Sequence, residues 1–202
     1  MRLLLDTDAF CKLAIGNLLT DSLRALGTEP SECRRLPALP KMLLRGSLRR
    51  SYGAQECDRV LPVADSIAII PATGAAWLDR LAKIDNIDPG EALLFAAAAE
   101  GGLVVLTSDK RALRALKRVP GLPEALEHRI VVLEAILMVL CDQLGATVVR
   151  DRLGPLASSD KTLQVCFSVG NPNSRSALGS YFRSLAAEVH PLLLWEPPKE
   201  GA

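Results

Sequence analysis

Four carboxylate side chains occur at sequence positions where a parallel α/β sheet would hold its functional residues. Asp6 ends an apolar run at the amino terminus and Asp8 follows it, Asp109 follows a second apolar run, and Glu91 precedes that run by one helix. In open parallel α/β sheets, ligands bind at the carboxyl ends of the strands. Carboxylates gathered there repel each other, and a hard divalent cation such as Mg²⁺ or Mn²⁺ relieves that repulsion. These residues therefore predict a metal site that can activate water and neutralise a phosphodiester.

The elements that would position these residues alternate between short apolar strands and helices, which is typical of a three-layer α/β/α fold with a mostly parallel sheet. Four apolar runs without polar alternation are predicted to be strands: 2–5, 66–70, 103–106 and 130–133. The clearest helix start is Asp88, because Pro89 and Glu91 then take the N1 and N3 positions. Gly101 and Gly102 predict the end of that helix.

The remaining segments are predicted to be helices and loops. The basic stretch after residue 32 is predicted to be rich in loops, with helical pieces near 40–50 and 54–63. Residues 134–144 form an apolar helix, and the chain beyond residue 151 carries only helical patterns. We therefore predict an α/β domain over 1–135 and a helical C-terminal extension over 136–202, which packs on that domain or on a partner such as a second copy in a homodimer.

Three stretches together resemble the PIN-domain nuclease family over about residues 1–135. They are LLLDTDAF at the amino terminus, DPGEALLFAAAAEGGLVVLTSDKRAL in the middle and the short run RIVVL. Asp6, Glu91 and Asp109 match the family's acidic positions. The resemblance implies a sheet with strand order 3-2-1-4-5, a cluster of metal ligands at its carboxyl edge, and RNA cleavage that depends on Mg²⁺ or Mn²⁺.

One acidic position of the family has no direct match here. PIN nucleases usually carry another acid in the helix before the second strand, but the segment PKMLLRGSLRR near residue 45 is basic. Glu56 and Asp58 are the nearest substitutes, and Glu56 is the one predicted, so the expected metal ligands are Asp6, Asp8, Glu56, Glu91 and Asp109.

The expected partner is RNA. Lys110, Arg111 and Arg114 follow Asp109 on one predicted helix and are predicted to contact phosphates. Many relatives of the resembled family are toxins that pair with a protein antitoxin, which makes such a partner a further expectation. No membrane contact is expected, and the five scattered cysteines fit reduced thiols in a cytoplasmic protein.

Structural explanations compete with the catalytic one. Asp88 and Glu91 are the two residue types of a capping box, and Asp6 and Asp109 are suited to helix N-termini. A PIN-like module that binds RNA or protein without strong catalysis is therefore an alternative. LLLDTDAF also resembles the nucleophile loop of haloacid-dehalogenase-like phosphatases, with Asp6 as nucleophile and Asp8 as acid/base.

Composition bounds all of these hypotheses. The chain has 202 residues, of which 49% are hydrophobic, and a formal net charge of +1. It can bury a sizeable core, which excludes a disordered chain or a polycationic tail. Phosphate binding would have to use a local basic face rather than the total charge.

Overall fold

A five-stranded, fully parallel sheet with strand order β3-β2-β1-β4-β5 organises the protein. The computed structural model describes residues 2–71, 73–154, 156, 160–168 and 173–198. The strands are β1 (Leu3–Leu5), β2 (Cys33–Arg35), β3 (Ala68–Ile69), β4 (Val104–Thr107) and β5 (Ile130–Val132). The predicted fold class and strand order are confirmed. Leu5 is paired with Arg35 on one side and with Leu106 on the other, so the carboxyl ends of β1, β2 and β4 lie side by side.

Helices cover the sheet and follow it in the chain. Those of the first 132 residues are α1 (Thr7–Ile15), α2 (Leu19–Ala25), α3 (Leu39–Arg45), α4 (Ser47–Tyr52), α5 (Ala54–Ser66), α6 (Ala75–Leu81), α7 (Pro89–Gly101), α8 (Lys110–Leu116) and α9 (Leu122–Ala125). They are followed by α10 (Leu133–Leu144), α11 (Ala146–Leu153), α12 (Lys161–Cys166) and α13 (Ser174–Val189). No helix in the described part of the chain is both long and apolar enough to cross a membrane.

The strand β2 lies in the segment that the sequence predicts to be loop-rich, and that prediction is wrong for residues 33–35. The sequence pattern misses this strand because two of its three residues are arginines, and charged residues break the apolar pattern by which buried strands are predicted. The Arg35 side chain is nevertheless buried, and its guanidinium donates to the carbonyl oxygens of Ala64 (2.6 Å) and Leu36 (3.2 Å). A buried charge with two backbone acceptors can therefore stand in a strand beside β1.

The helical C-terminal part packs against the rest of the molecule through α10, which follows β5 directly. Residues 133–141 of this helix are all buried, and the helix contacts α2, α11, α13 and β5. The chain later returns to β5: the His128 amide donates to the Leu193 carbonyl (2.9 Å) and the Trp195 amide to the Ile130 carbonyl (2.8 Å). All five cysteines are buried in the core.

Candidate functional site

An open cavity of about 690 Å³ lies at the carboxyl edge of the sheet. Six acidic residues line it, together with two lysines: Asp6, Asp8, Asp88, Glu91, Asp109, Asp160, Lys110 and Lys161. The acids come from the ends of β1 and β4, from the starts of α1 and α7, and from the start of α12. The structure therefore brings four of the five predicted metal ligands to one cavity.

Asp6 lies at the floor of this cavity, where β1 ends and α1 begins. Its side chain accepts hydrogen bonds from the Thr107 hydroxyl (3.1 Å) and from the Ser108 amide (3.5 Å), and the residue is 8% exposed. Burial, together with the neighbouring Asp8 charge, raises the pKa of Asp6 to about 6. Part of the Asp6 population therefore carries a proton near neutral pH.

Glu91 and Asp109 form a hydrogen-bonded pair of carboxyl groups on the cavity wall. Each also stabilises a helix. Glu91 completes the predicted capping box with Asp88, and Asp109 accepts from the Ala112 amide (2.9 Å) at the start of α8. Burial and the hydrogen bond with Asp109 raise the pKa of Glu91 to about 8. The structural and the functional explanation thus apply to the same residues.

Asp8 is held by three side chains in the first turn of α1. The Lys12 ammonium lies 2.5 Å from one oxygen of Asp8, the Ser108 hydroxyl donates to the same oxygen (2.7 Å), and the Tyr52 hydroxyl donates to the other (2.6 Å). Asp8 is therefore part of a fixed network rather than a free carboxylate.

Asp160 is an acidic residue of the cavity that the sequence did not predict. It accepts from the Thr162 and Leu163 amides at the start of α12, and the Lys12 ammonium lies 2.5 Å from its other oxygen. A signal for it exists in the sequence, because the triplet Ser-Asp-Lys occurs at 108–110 and again at 159–161. In both copies the aspartate caps a helix and lines the cavity.

Glu56, the predicted substitute for the missing acid, is not among the residues that line the cavity. It lies in the first turn of α5, where Arg59 donates to one of its oxygens at 3.0 Å and 2.5 Å. Arg59 also donates to the Ile15 carbonyl, which ties the pair to the last residue of α1. The sequence spacing allowed Glu56 to face Asp6, but in the structure Glu56 forms a salt bridge with Arg59, three residues away on the same helix.

The predicted RNA contacts are partly occupied by ion pairs. The Lys110 ammonium lies 2.6 Å from Glu134 and donates to the Thr162 hydroxyl, and Arg114 forms a two-pronged pair with Glu188 at 2.5 Å and 2.9 Å. Arg111 has a 60% exposed side chain, 3.3 Å from Asp109 and 3.9 Å from Glu91. Arg111 is therefore the member of this set that stands open at the cavity's acidic wall.

Metal binding can be judged from the donor chemistry and from the spacing of the carboxylates. Carboxylate oxygens are the ligands that Mg²⁺ and Mn²⁺ prefer. Within the described ranges, however, no group of three or more His, Cys, Asp or Glu side chains is placed so as to hold a metal ion. The carboxylate donors are of the type that fits such an ion. In the structure, Lys12 contacts two of the cavity's acids and Arg111 contacts two others.

Comparison of the chain with protein-family models, with curated proteins and with solved structures finds no significant match. The resemblance to PIN nucleases accordingly rests on the residues of this chain alone.

Proposed function

We propose that the protein is a ribonuclease that hydrolyses phosphodiester bonds at the acidic cavity, with Mg²⁺ or Mn²⁺ held by Asp6, Glu91 and Asp109. The observation that carries this proposal is the convergence of carboxyl groups from separate elements on one open cavity. Asp6 and Glu91 have raised pKa values there, with burial as the largest cause and neighbouring acids adding to it. A divalent cation would replace these protons and relieve the repulsion.

The chain's own residues would orient this chemistry. Thr107 and the Ser108 amide fix Asp6, and the caps of α7 and α8 fix Glu91 and Asp109. When bound, the ion would supply the activation of water and the neutralisation of phosphate charge that hydrolysis needs. Arg111 and the exposed Lys161 lie beside the acids and would contact phosphate groups of the RNA.

The test is cleavage of single-stranded RNA with Mg²⁺ or Mn²⁺, and with a chelator. Asp109→Asn keeps the helix cap, because asparagine caps helices as well as aspartate does, and removes one ligand charge. We expect at least ~100-fold slower cleavage, since even residues behind the ligands cost about 10–100-fold in metal enzymes. The matched control is Asp79→Asn on the exposed side of α6, which should cleave like the unmodified protein. Cleavage that persists in both the chelator and Asp109→Asn would overturn the proposal.

A PIN-like module that binds RNA or protein, including an antitoxin-like partner, is the second candidate. The ion pairs of Lys12 with Asp8 and Asp160 favour it, because these acids already have a counter-ion. RNA or protein binding without cleavage in the same assay would support this candidate. The phosphatase alternative has less support, because the Lys12 pair and the Tyr52 and Ser108 hydrogen bonds engage the Asp8 carboxylate that would have to transfer protons.

A further inference from the structure

Lys12 is a charged residue in the middle of an apolar helix, and its side chain is almost fully buried. The residue is 5% exposed, whereas its neighbours Cys11 and Leu13 belong to the hydrophobic core. Burying an ammonium group is costly unless opposite charges meet it. Lys12 meets two of them at 2.5 Å, Asp8 on its own helix and Asp160 at the start of α12.

The two carboxylates around Lys12 have all four of their oxygens engaged. One Asp8 oxygen accepts from Tyr52, and the other accepts from Ser108 and faces Lys12. One Asp160 oxygen accepts from two amides of α12, and the other accepts from Lys12. We refer to Asp8, Lys12 and Asp160 as the lysine-bridged group.

The remaining acids of the cavity have a different environment. We refer to Asp6, Glu91 and Asp109 as the open acidic group. Among the described residues this group contacts one cation, the exposed Arg111, which lies 3.9 Å from Glu91 and 3.3 Å from Asp109. The cavity therefore has one half in which a buried cation joins two carboxylates and another half that, among the described residues, has a cation only at its rim.

We propose that Lys12 is a positioning residue that acts as a resident cation, so that no divalent ion binds at the lysine-bridged group. The ammonium joins carboxylates from two distant parts of the chain, as a second divalent ion would do in a two-metal site. The number of ions rests on the proposed function, while the effect of Lys12 on the second half of the cavity does not.

The experiment is a Mn²⁺ titration of the full chain, followed by calorimetry and by the electron paramagnetic resonance signal of free Mn²⁺. We expect one bound ion in the unmodified protein and two in Lys12→Met, which keeps the length of the side chain and removes its charge. Lys12→Arg should return the count to one. Lys161→Met is the matched control, because Lys161 lines the same cavity from an exposed position, and it should bind one ion.

Every outcome decides the proposal. Two ions in the unmodified protein, or an unchanged count in Lys12→Met, would overturn it. If Lys12→Met fails to fold without metal, Mn²⁺ added during refolding should rescue it, and failure of that rescue would show a purely structural lysine. No ion in the unmodified protein with one in Lys12→Met would support the resident cation and overturn the metal-dependent nuclease.

Discussion

Two carboxyl groups of the cavity keep their protons at unusually high pH. The pKa of Glu91 is raised from its ordinary 4.5 to about 8, and that of Asp6 from 3.8 to about 6, with burial as the largest cause in each case. Because the folded protein holds these protons more tightly than the unfolded chain, each group stabilises the fold less as pH rises between its two values. The effect of Asp6 on stability is confined to pH values below about 6, so the change in stability between pH 6 and 8 is assigned to Glu91.

Glu91→Gln should remove the pH dependence of stability in that window. In the unmodified protein we expect the free energy of unfolding to fall by roughly 2 kcal/mol between pH 6 and 8, since one proton per pH unit corresponds to about 1.4 kcal/mol. Glutamine retains the capping box and does not titrate, so the variant should be flat there. Urea unfolding at several pH values measures both slopes. Equal slopes in the two proteins would contradict this assignment to Glu91.

The predictability of single residues depended on how local their partners are. The capping box of Asp88 and Glu91 was predicted because both partners lie within one helical turn. Asp6, Asp8, Glu91 and Asp109 meet at one cavity because the ends of parallel strands meet at one edge. Lys12 and Asp160 are 148 positions apart, and no local pattern connects them. Glu56 does not line the cavity, and its partner is the local residue Arg59, three positions away.

At the scale of elements, the apolar strands were predicted and the arginine-bearing strand β2 was not. The runs at β1, β4 and β5 are buried throughout, and they are apolar except for Thr107 at the end of β4. In β2, burial of Arg35 depends on the Ala64 and Leu36 carbonyls, and these acceptors become visible only once the chain has folded.

The junction between α3 and α4 is a close contact that only glycine allows. A Cβ atom on Gly46 would lie 2.7 Å from the Cα and 2.8 Å from the carbonyl oxygen of Met42, and these backbone atoms cannot move without shifting α3. The side chain of Met42 lines the acidic cavity, so the contact also sets one of its walls.

Gly46→Ala should therefore destabilise the protein by about 1–3 kcal/mol, the usual cost of overpacking. Gly154→Ala is the control, because an added Cβ there would meet no described atom within 4 Å. Denaturant unfolding of the two variants gives the comparison. Equal midpoints for both would mean that α3 and α4 adjust to the extra methyl group without cost.

At the scale of the whole molecule, α10 joins the helical C-terminal part to the sheet. Ile136, Leu137 and Leu140 are fully buried, and the helix contacts both α2 and β5. Removing it would expose a large apolar surface on the α/β part, and such surfaces lead to association in water.

A chain ended after residue 135 should be less soluble and should melt at lower temperature than the full chain. Size-exclusion chromatography and thermal unfolding test this directly, with a chain ended after residue 198 as the control, which keeps all described helices. A shortened protein that stays monomeric and equally stable would show instead that 1–135 is an independent domain.

The salt bridge between Lys12 and Asp160 also has a consequence for synthesis on the ribosome. Its two residues are separated by 148 positions, whereas Asp8 is only four residues from Lys12. At a synthesis rate of about 5–20 residues per second, Asp160 is made roughly 7–30 s after Lys12. By the end of that interval, before Asp160 is made, the nascent chain contains all three residues of the open acidic group, while Lys12 has Asp8 as its one acidic partner from the final pair. The cavity is therefore completed late in translation, by the segment that begins α12.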